Sequence, residues 1–430
     1  MKSLLNNIIR ILLTIQCWYC PSVFALDKFE TSDYYGNEPI FAHVIFRHGE
    51  RNIERSYPND PYINETHWTG GFGALTNNGK TEVYKLGKYL RQRYNKLVGE
   101  KYSKNAVYIH STDFDRTLMS AQVLAASLFP PVGNEIWSAD IKWQPIPVHS
   151  QPLNQELLMP HSIPCARFRY LFGTYINSPE YKAVFQKHRS LIQYWEEKSG
   201  KSLKVYSDFL HLYDTLYIEH QKGLHLPKWA SDALHTNNTL KYLALFEMMA
   251  LTHSTELKKL EAGFFIKEIL DRFTNKSLET LKPDRSLWLY AAHDVSMINI
   301  LIALNLYDSF TPLFRPFYAS SLHFELYQNA GNFSIQMFFR QTNKKAIVPL
   351  KIPNCGTPCS LNTFYKLYRD ILPTKFEDYN LACKHPQKEN NQLTSFMYLS
   401  TSGGQTPINA TFSHIFCIVL IIRFYFTNCK

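Results

Sequence analysis

The chain lacks what a nucleic-acid binder or an integral membrane protein needs. Its 430 residues contain no dense block of lysine and arginine, so nucleic-acid binding is not expected. The formal charge of +10 overstates the body. Residues 1–25 and 403–430 each carry two basic and no acidic residues, and without them the excess is +6. Two terminal apolar runs, 8–19 and 415–426, are short for a bilayer-spanning helix. Cysteine is sparse in the body, where only Cys165, Cys355, Cys359 and Cys383 occur. Cys355 and Cys359 have no second pair at zinc-site spacing, so a disulfide is preferred to a metal. Four thiols allow three pairings, and spacing alone does not choose among them. There is no internal repeat.

What is present fits an exported globular protein. With 45% hydrophobic and 15% aromatic residues, the chain can build a substantial core in one large domain or two ordinary ones. The N-terminus has the layout of a secretory signal peptide over residues 1–25: Lys2, the apolar stretch, then Val23-Phe24-Ala25 at the cleavage positions, with Arg10 as an irregularity. Cys17 and Cys20 fall inside it and are not read as redox or zinc chemistry. Five Asn-x-Ser/Thr sequons agree with export and mark glycosylation candidates: Asn64, Asn237, Asn275, Asn332 and Asn409. At the other end, Ser402-Gly403-Gly404, a polar spacer and the apolar run resemble a lipid-anchor signal. Arg423 and the polar ending depart from that layout, so a membrane anchor and a simple tail both fit.

Residues 41–46 read as a buried strand, 106–110 as a second, and 287–292 as a third. A long helix is expected after Asn78, with Val83, Leu86, Leu90 and Tyr94 on one face, and another over 115–128. This strand–helix order predicts a doubly wound, mostly parallel α/β sheet with helices on both faces. Residues 181–198 and 240–273 look helical, and strands are scarce there, so a smaller helical subdomain is expected over 151–280. The catalytic α/β domain is then 26–150 plus 281–385, with a tail over 386–430. Leu322, Phe324 and Leu326, then 333–339, joined through Asn329-Ala330-Gly331-Asn332, predict an antiparallel hairpin.

Chemistry concentrates where these strands end. Arg47-His48-Gly49-Glu50-Arg51 follows the first strand. Two guanidinium forks suit a phosphate, and a neutral imidazole between them can attack its phosphorus. Arg116 follows the second strand and His293-Asp294 the third. Alone, Arg116 reads as a surface arginine and His-Asp as a common structural dipeptide. Together, three strand-end loops of one sheet can converge in a single crevice.

These motifs resemble those of the histidine acid phosphatases, the secreted and lysosomal branch of a phosphoglycerate mutase-like fold. The resemblance covers most of residues 40–385. It rests on the Arg47–Arg51 motif, Gly71-Phe72-Gly73-Ala74-Leu75-Thr76, Ser111-Thr112-Asp113, Asp115-Arg116-Thr117-Leu118-Met119-Ser120, Ala292-His293-Asp294 and Pro316-Phe317-Tyr318-Ala319-Ser320. It implies a phosphate monoester substrate and a phosphohistidine on His48. Arg47, Arg51, Arg116 and His293 would hold the phosphoryl oxygens, and Asp294 would be the general acid. It implies no cofactor and no metal, an acid pH optimum, disulfides Cys165–Cys383 and Cys355–Cys359, and a homodimer whose surface the sequence does not identify. Two departures stand out: Ile53 occupies a position that is often proline, and His110 one that is often arginine. The competing readings are a specialised phytase or lysophospholipid phosphatase, an intracellular mutase-like enzyme, and a secreted binding protein that has lost catalysis. The last predicts decay of His48 or Asp294, and both are intact.

Overall fold

The computed structural model describes residues 38–204, 207–342, 347–375 and 378–384. The expected signal peptide, the C-terminal tail and Asn409 lie outside them. The elements that build the site are β1 (Phe41–Arg47), α1 (Asn77–Val98), β2 (Val107–Thr112), α2 (Asp115–Leu128), β3 (His149–Gln151), α3 (Asp208–Gln221), α4 (Phe264–Ser277), β4 (Leu287–Ala292), α5 (Asp294–Ala303), β5 (Ser321–Asn329), β6 (Asn332–Arg340) and β7 (Val348–Leu350). The sheet order is β3-β2-β4-β1-β5-β6-β7. The first four strands are parallel, and β5, β6 and β7 extend the sheet antiparallel. The expected mostly parallel α/β class is therefore observed.

Side-chain alternation in the central strands sorts residues into two layers. Ala42, Val44 and Phe46 of β1, with Leu287, Leu289 and Ala291 of β4, pack against Val83, Leu86, Leu90 and Tyr94 of α1 and Ala121, Leu124 and Leu128 of α2. Phe41, Ile45, Trp288, Tyr290 and Ala292 face the other way, onto Phe265, Ile269 and Phe273 of α4 and Met297, Ile300 and Leu301 of α5. Strand residues alternate faces, so one apolar run feeds both layers. The β5–β6 hairpin turns at Ala330 and Gly331, both at positive φ, as a two-residue primed turn requires.

The helical segment differs from expectation in its breaks. The stretch 181–198 is two helices, Pro179–Lys187 and Arg189–Ser199, and the expected helix 240–273 stops at Ala250 and resumes at Thr255. Ser178 caps the first of these, Pro179–Lys187, by accepting the Tyr181 N–H, and Ser254 caps the helix that resumes at Thr255 by accepting the Leu257 N–H. Helix α4 packs into the sheet's own core, so the last helix of the expected 151–280 subdomain belongs by packing to the α/β layer. The helices Arg189–Ser199, α3, Lys228–His235 and Thr239–Ala250 share a separate core that includes Trp195, Phe209, Leu212, Leu216, Trp229 and Leu243. Both implied disulfides are present, Cys165–Cys383 and Cys355–Cys359. The first spans 218 residues; in the chain-entropy picture, closing such a loop is worth about 5 kcal/mol. Among the described residues, no helix is long and apolar enough to cross a membrane.

Candidate active site

Strand order brings the three motifs together. β4 lies between β1 and β2, with Arg47 opposite Ala292 and Ser111 opposite Ala291. The loops that leave these strands therefore start side by side, and the His48 N–H donates to the Ala292 carbonyl at 3.1 Å.

The Arg47–Arg51 loop is braced from two sides. A Cβ on Gly49 would lie 2.2 Å from the Gly79 carbonyl oxygen, and one on Gly79 would lie 2.2 Å from that of Glu50. Only paired glycines let the loop touch the first turn of α1 this closely. Ser120 on α2 accepts the Gly49 N–H at 3.2 Å. The Gly71–Thr76 motif supplies the second brace: Asn52 N–H donates to Ala74, Gly73 N–H to Ile53 and Thr76 N–H to Glu50. Thr76 also donates its hydroxyl to the Glu50 carboxylate at 2.8 Å while capping α1.

The His48 ring is buried, and its Nδ1 sits 2.8 Å from the Gly49 carbonyl. That contact requires the proton on Nδ1 and leaves a lone pair on Nε2, onto which Arg116 Nε donates at 3.3 Å. Burial, then Arg116 and Arg47, push the His48 pKa well below the usual 6.5. The ring is held neutral. His293 packs edge-on to it with centroids 5.4 Å apart, and its Nε2 lies 2.9 Å from the Thr112 hydroxyl. Burial and Arg116 keep His293 neutral too.

The arginines are held by acids and by an aromatic face. Arg47 donates to the Pro316 carbonyl at 2.7 Å, lies over the Tyr318 ring at 4.1 Å and meets Asp294 at 3.0 Å. Arg51 donates to Asp214 of α3 at 2.7 Å, and Arg116 meets Glu54 at 2.8 Å. The Nε–H groups of Arg47 and Arg51 are buried with no hydrogen-bond partner among the described residues. Such donors are costly unless an anion satisfies them. Burial opposes charge on Asp294, Asp214 and Glu54. Arg315 and Arg47 overcome it for Asp294, Arg315 and Arg51 for Asp214, and Arg51 and Arg116 for Glu54. All three carboxyls are held below the ordinary carboxylate range.

All six residues expected to carry chemistry, Arg47, His48, Arg51, Arg116, His293 and Asp294, meet in this cluster. The sequence reading missed Glu54, Asp214 and Arg315, and gave Tyr318 no role. Glu54, three residues beyond Arg51 in the same loop, carried a usable signal. His110 lies apart, paired with Glu156 at 2.7 Å. Ile53 is fully buried and packs with Trp68 and Ile218, so the expected proline position is filled by a core side chain.

The family model described as the histidine phosphatase superfamily (branch 2) matches residues 38–340. The chain belongs to the histidine phosphatase superfamily, branch 2. Relatives of this branch 2 chain include rat (Rattus norvegicus) lysosomal acid phosphatase, 35% identical over 347 residues and 80% of each chain. Rat prostatic acid phosphatase is 36% identical over 349 residues, 80% of this chain and 88% of its own length. Among solved structures, the apo Hafnia alvei phytase aligns with a TM-score of 0.57 at 18% identity, covering 82% of this chain and 99% of that one. The Citrobacter braakii phytase aligns at 0.56 and 17%, covering 80% and 99%. At that identity the shared feature is the fold.

Proposed function

We propose that this chain is a secretory-pathway acid phosphatase that hydrolyses phosphate monoesters through a covalent phosphohistidine on His48. The acid phosphatase relatives support the activity. The observation that carries the mechanism is a buried neutral imidazole ringed by Arg47, Arg51 and Arg116, with the Arg47 Nε–H buried and without a hydrogen-bond partner among the described residues.

In the proposed reaction His48 Nε2 attacks phosphorus and the P–O bond to the alcohol breaks, with Asp294 giving its proton to the departing oxygen. Water then attacks phosphorus, returning a proton to Asp294, and the N–P bond breaks to release phosphate. Arg47, Arg51 and Arg116, with His293, stabilise the three non-bridging oxygens throughout. The two acid–base requirements favour acid pH. His48 stays neutral there because its pKa is depressed. Asp294, held ionised by its arginines in the free site, takes up the proton it must donate once a phosphate dianion binds beside it, a step that acid pH favours.

Four sequons, Asn64, Asn237, Asn275 and Asn332, are exposed, which supports glycosylation during export. The lysosomal and prostatic relatives support the secretory pathway. The homodimer and the C-terminal anchor are separate proposals, read by light scattering and by release from membranes with an anchor-cleaving phospholipase. The activity test is hydrolysis of para-nitrophenyl phosphate across pH 4–8, with and without a chelator. Acid-favoured, chelator-resistant turnover that falls about a thousandfold or more in His48→Ala is expected. Full activity in that variant would rule His48 out.

A further inference from the structure

Asp294, the proposed general acid, has no free lone pair on Oδ2, the oxygen that two arginines share. Its Oδ1 accepts the Val295 N–H at 2.9 Å, and its Oδ2 accepts both Arg47 at 3.0 Å and Arg315 at 2.6 Å. A carboxylate oxygen offers about two lone-pair sites, so a proton reaches Oδ2 only when one guanidinium withdraws. Arg47 is fixed by the Pro316 carbonyl and the Tyr318 ring. Arg315 is instead shared: its other end bonds Asp214, whose second oxygen accepts Arg51.

The result is a chain of alternating charge, Arg47–Asp294–Arg315–Asp214–Arg51–Glu54–Arg116. Four cations and three anions leave it at +1. A phosphoryl dianion among the three phosphate-facing arginines turns that to −1, and one proton then restores neutrality.

We infer that Arg315 is the positioning residue of the general acid. It holds Asp294 deprotonated and in place until a phosphate ester draws Arg51 from Asp214 and Asp214 draws Arg315 from Asp294. The inference rests on the reading of Asp294 as the acid. The proton arrives from solvent on Oδ2 and leaves with the alcohol oxygen as the P–O bond breaks. The other groups facing Asp294 are His48 and Arg47 from the β1 loop, Arg116 from α2, Asp214 from α3 and its neighbour His293. Arg315 is the strongest of the charges that offset its burial.

The test compares the alkaline limb of the kcat/KM–pH profile for phenyl phosphate, a poor leaving group. Substrate ionisation is common to all variants, so a displacement between them belongs to the enzyme. Arg315→Leu removes a cation from Asp294 and should move the limb up by about half a pH unit or more. Arg315→Lys should return it part-way. Asp214→Asn gives Arg315 wholly to Asp294 and should move the limb down. Opposite displacements support the inference. Activity lost evenly at every pH, with the limb unmoved in Arg315→Lys and Asp214→Asn, overturns it, and those two variants decide the matter if Arg315→Leu does not fold. Asp294→Asn separates the two readings. If it turns over phenyl phosphate as fast as wild type, the general-acid reading fails. If it is crippled while Arg315 variants leave the limb in place, only the role of Arg315 fails.

Discussion

The carboxyl ends of β1, β2 and β4 and the helical segment contribute to one site in different ways. The strand ends deliver Arg47, His48, Arg51, Arg116, His293 and Asp294, each close to backbone whose register is hydrogen-bonded. The helical segment delivers Asp214, from the middle of a helix whose Leu212 and Leu216 anchor a separate core. Groups that touch the reacting atoms need placement to within fractions of an ångström, and a hydrogen-bonded sheet edge supplies it. The helix contributes charge balance, which tolerates looser placement.

Breaking the strand-end half should have the larger effect. Asp294→Asn should slow phenyl phosphate turnover by 10²–10⁴-fold, the usual weight of a general acid, and para-nitrophenyl phosphate much less, because its leaving group needs little protonation. Equal losses on both esters would point to a binding role instead. Gly49→Ala tests the brace rather than the chemistry. Its Cβ meets the Gly79 backbone, and the resulting shift of His48 should cost about 10²-fold in kcat, measured beside a melting curve to show the protein still folds. Wild-type kinetics in that variant would mean the loop has slack that the packing denies.

The helical half should respond through stability. Glu219 of α3 is fully buried, and burial with the nearby Asp60 charge raises its pKa to about 9. An unfolded glutamate titrates near 4.3, so the native state binds the extra proton between these values. The native form is favoured below the lower value, and that advantage fades as pH rises toward 9. Glu219→Gln should therefore stabilise the protein by on the order of 1 kcal/mol at pH 7, with little gain at pH 4. Thermal melts at both pH values check this; an equal change at each would refute it.

The same contrast decides what was legible. The strand 287–292 and helix 115–128 match the sequence reading residue for residue, because apolar periodicity and flanking polar residues both mark them. The proposed catalytic set was legible because its members sit in short motifs at strand ends. Asp214 was not: an acid on a helix reads as a solvated face until another element packs over it. Arg315 stands between Phe314 and Pro316 and carries no local pattern; only the two carboxylates it bridges reveal it. The helix breaks at His188 and at 251–254 were hidden because apolar periodicity continues across them.

The proposed mechanism stands on a bond between His48 and phosphorus. The direct test is to mix the enzyme rapidly with a phosphorus-labelled monoester, quench in alkali, where a phosphohistidine survives, and map the label by peptide mass. Label is expected on the peptide carrying His48, appearing before free phosphate accumulates and missing from His48→Ala. Turnover with no label at His48, or label on another side chain, would contradict it.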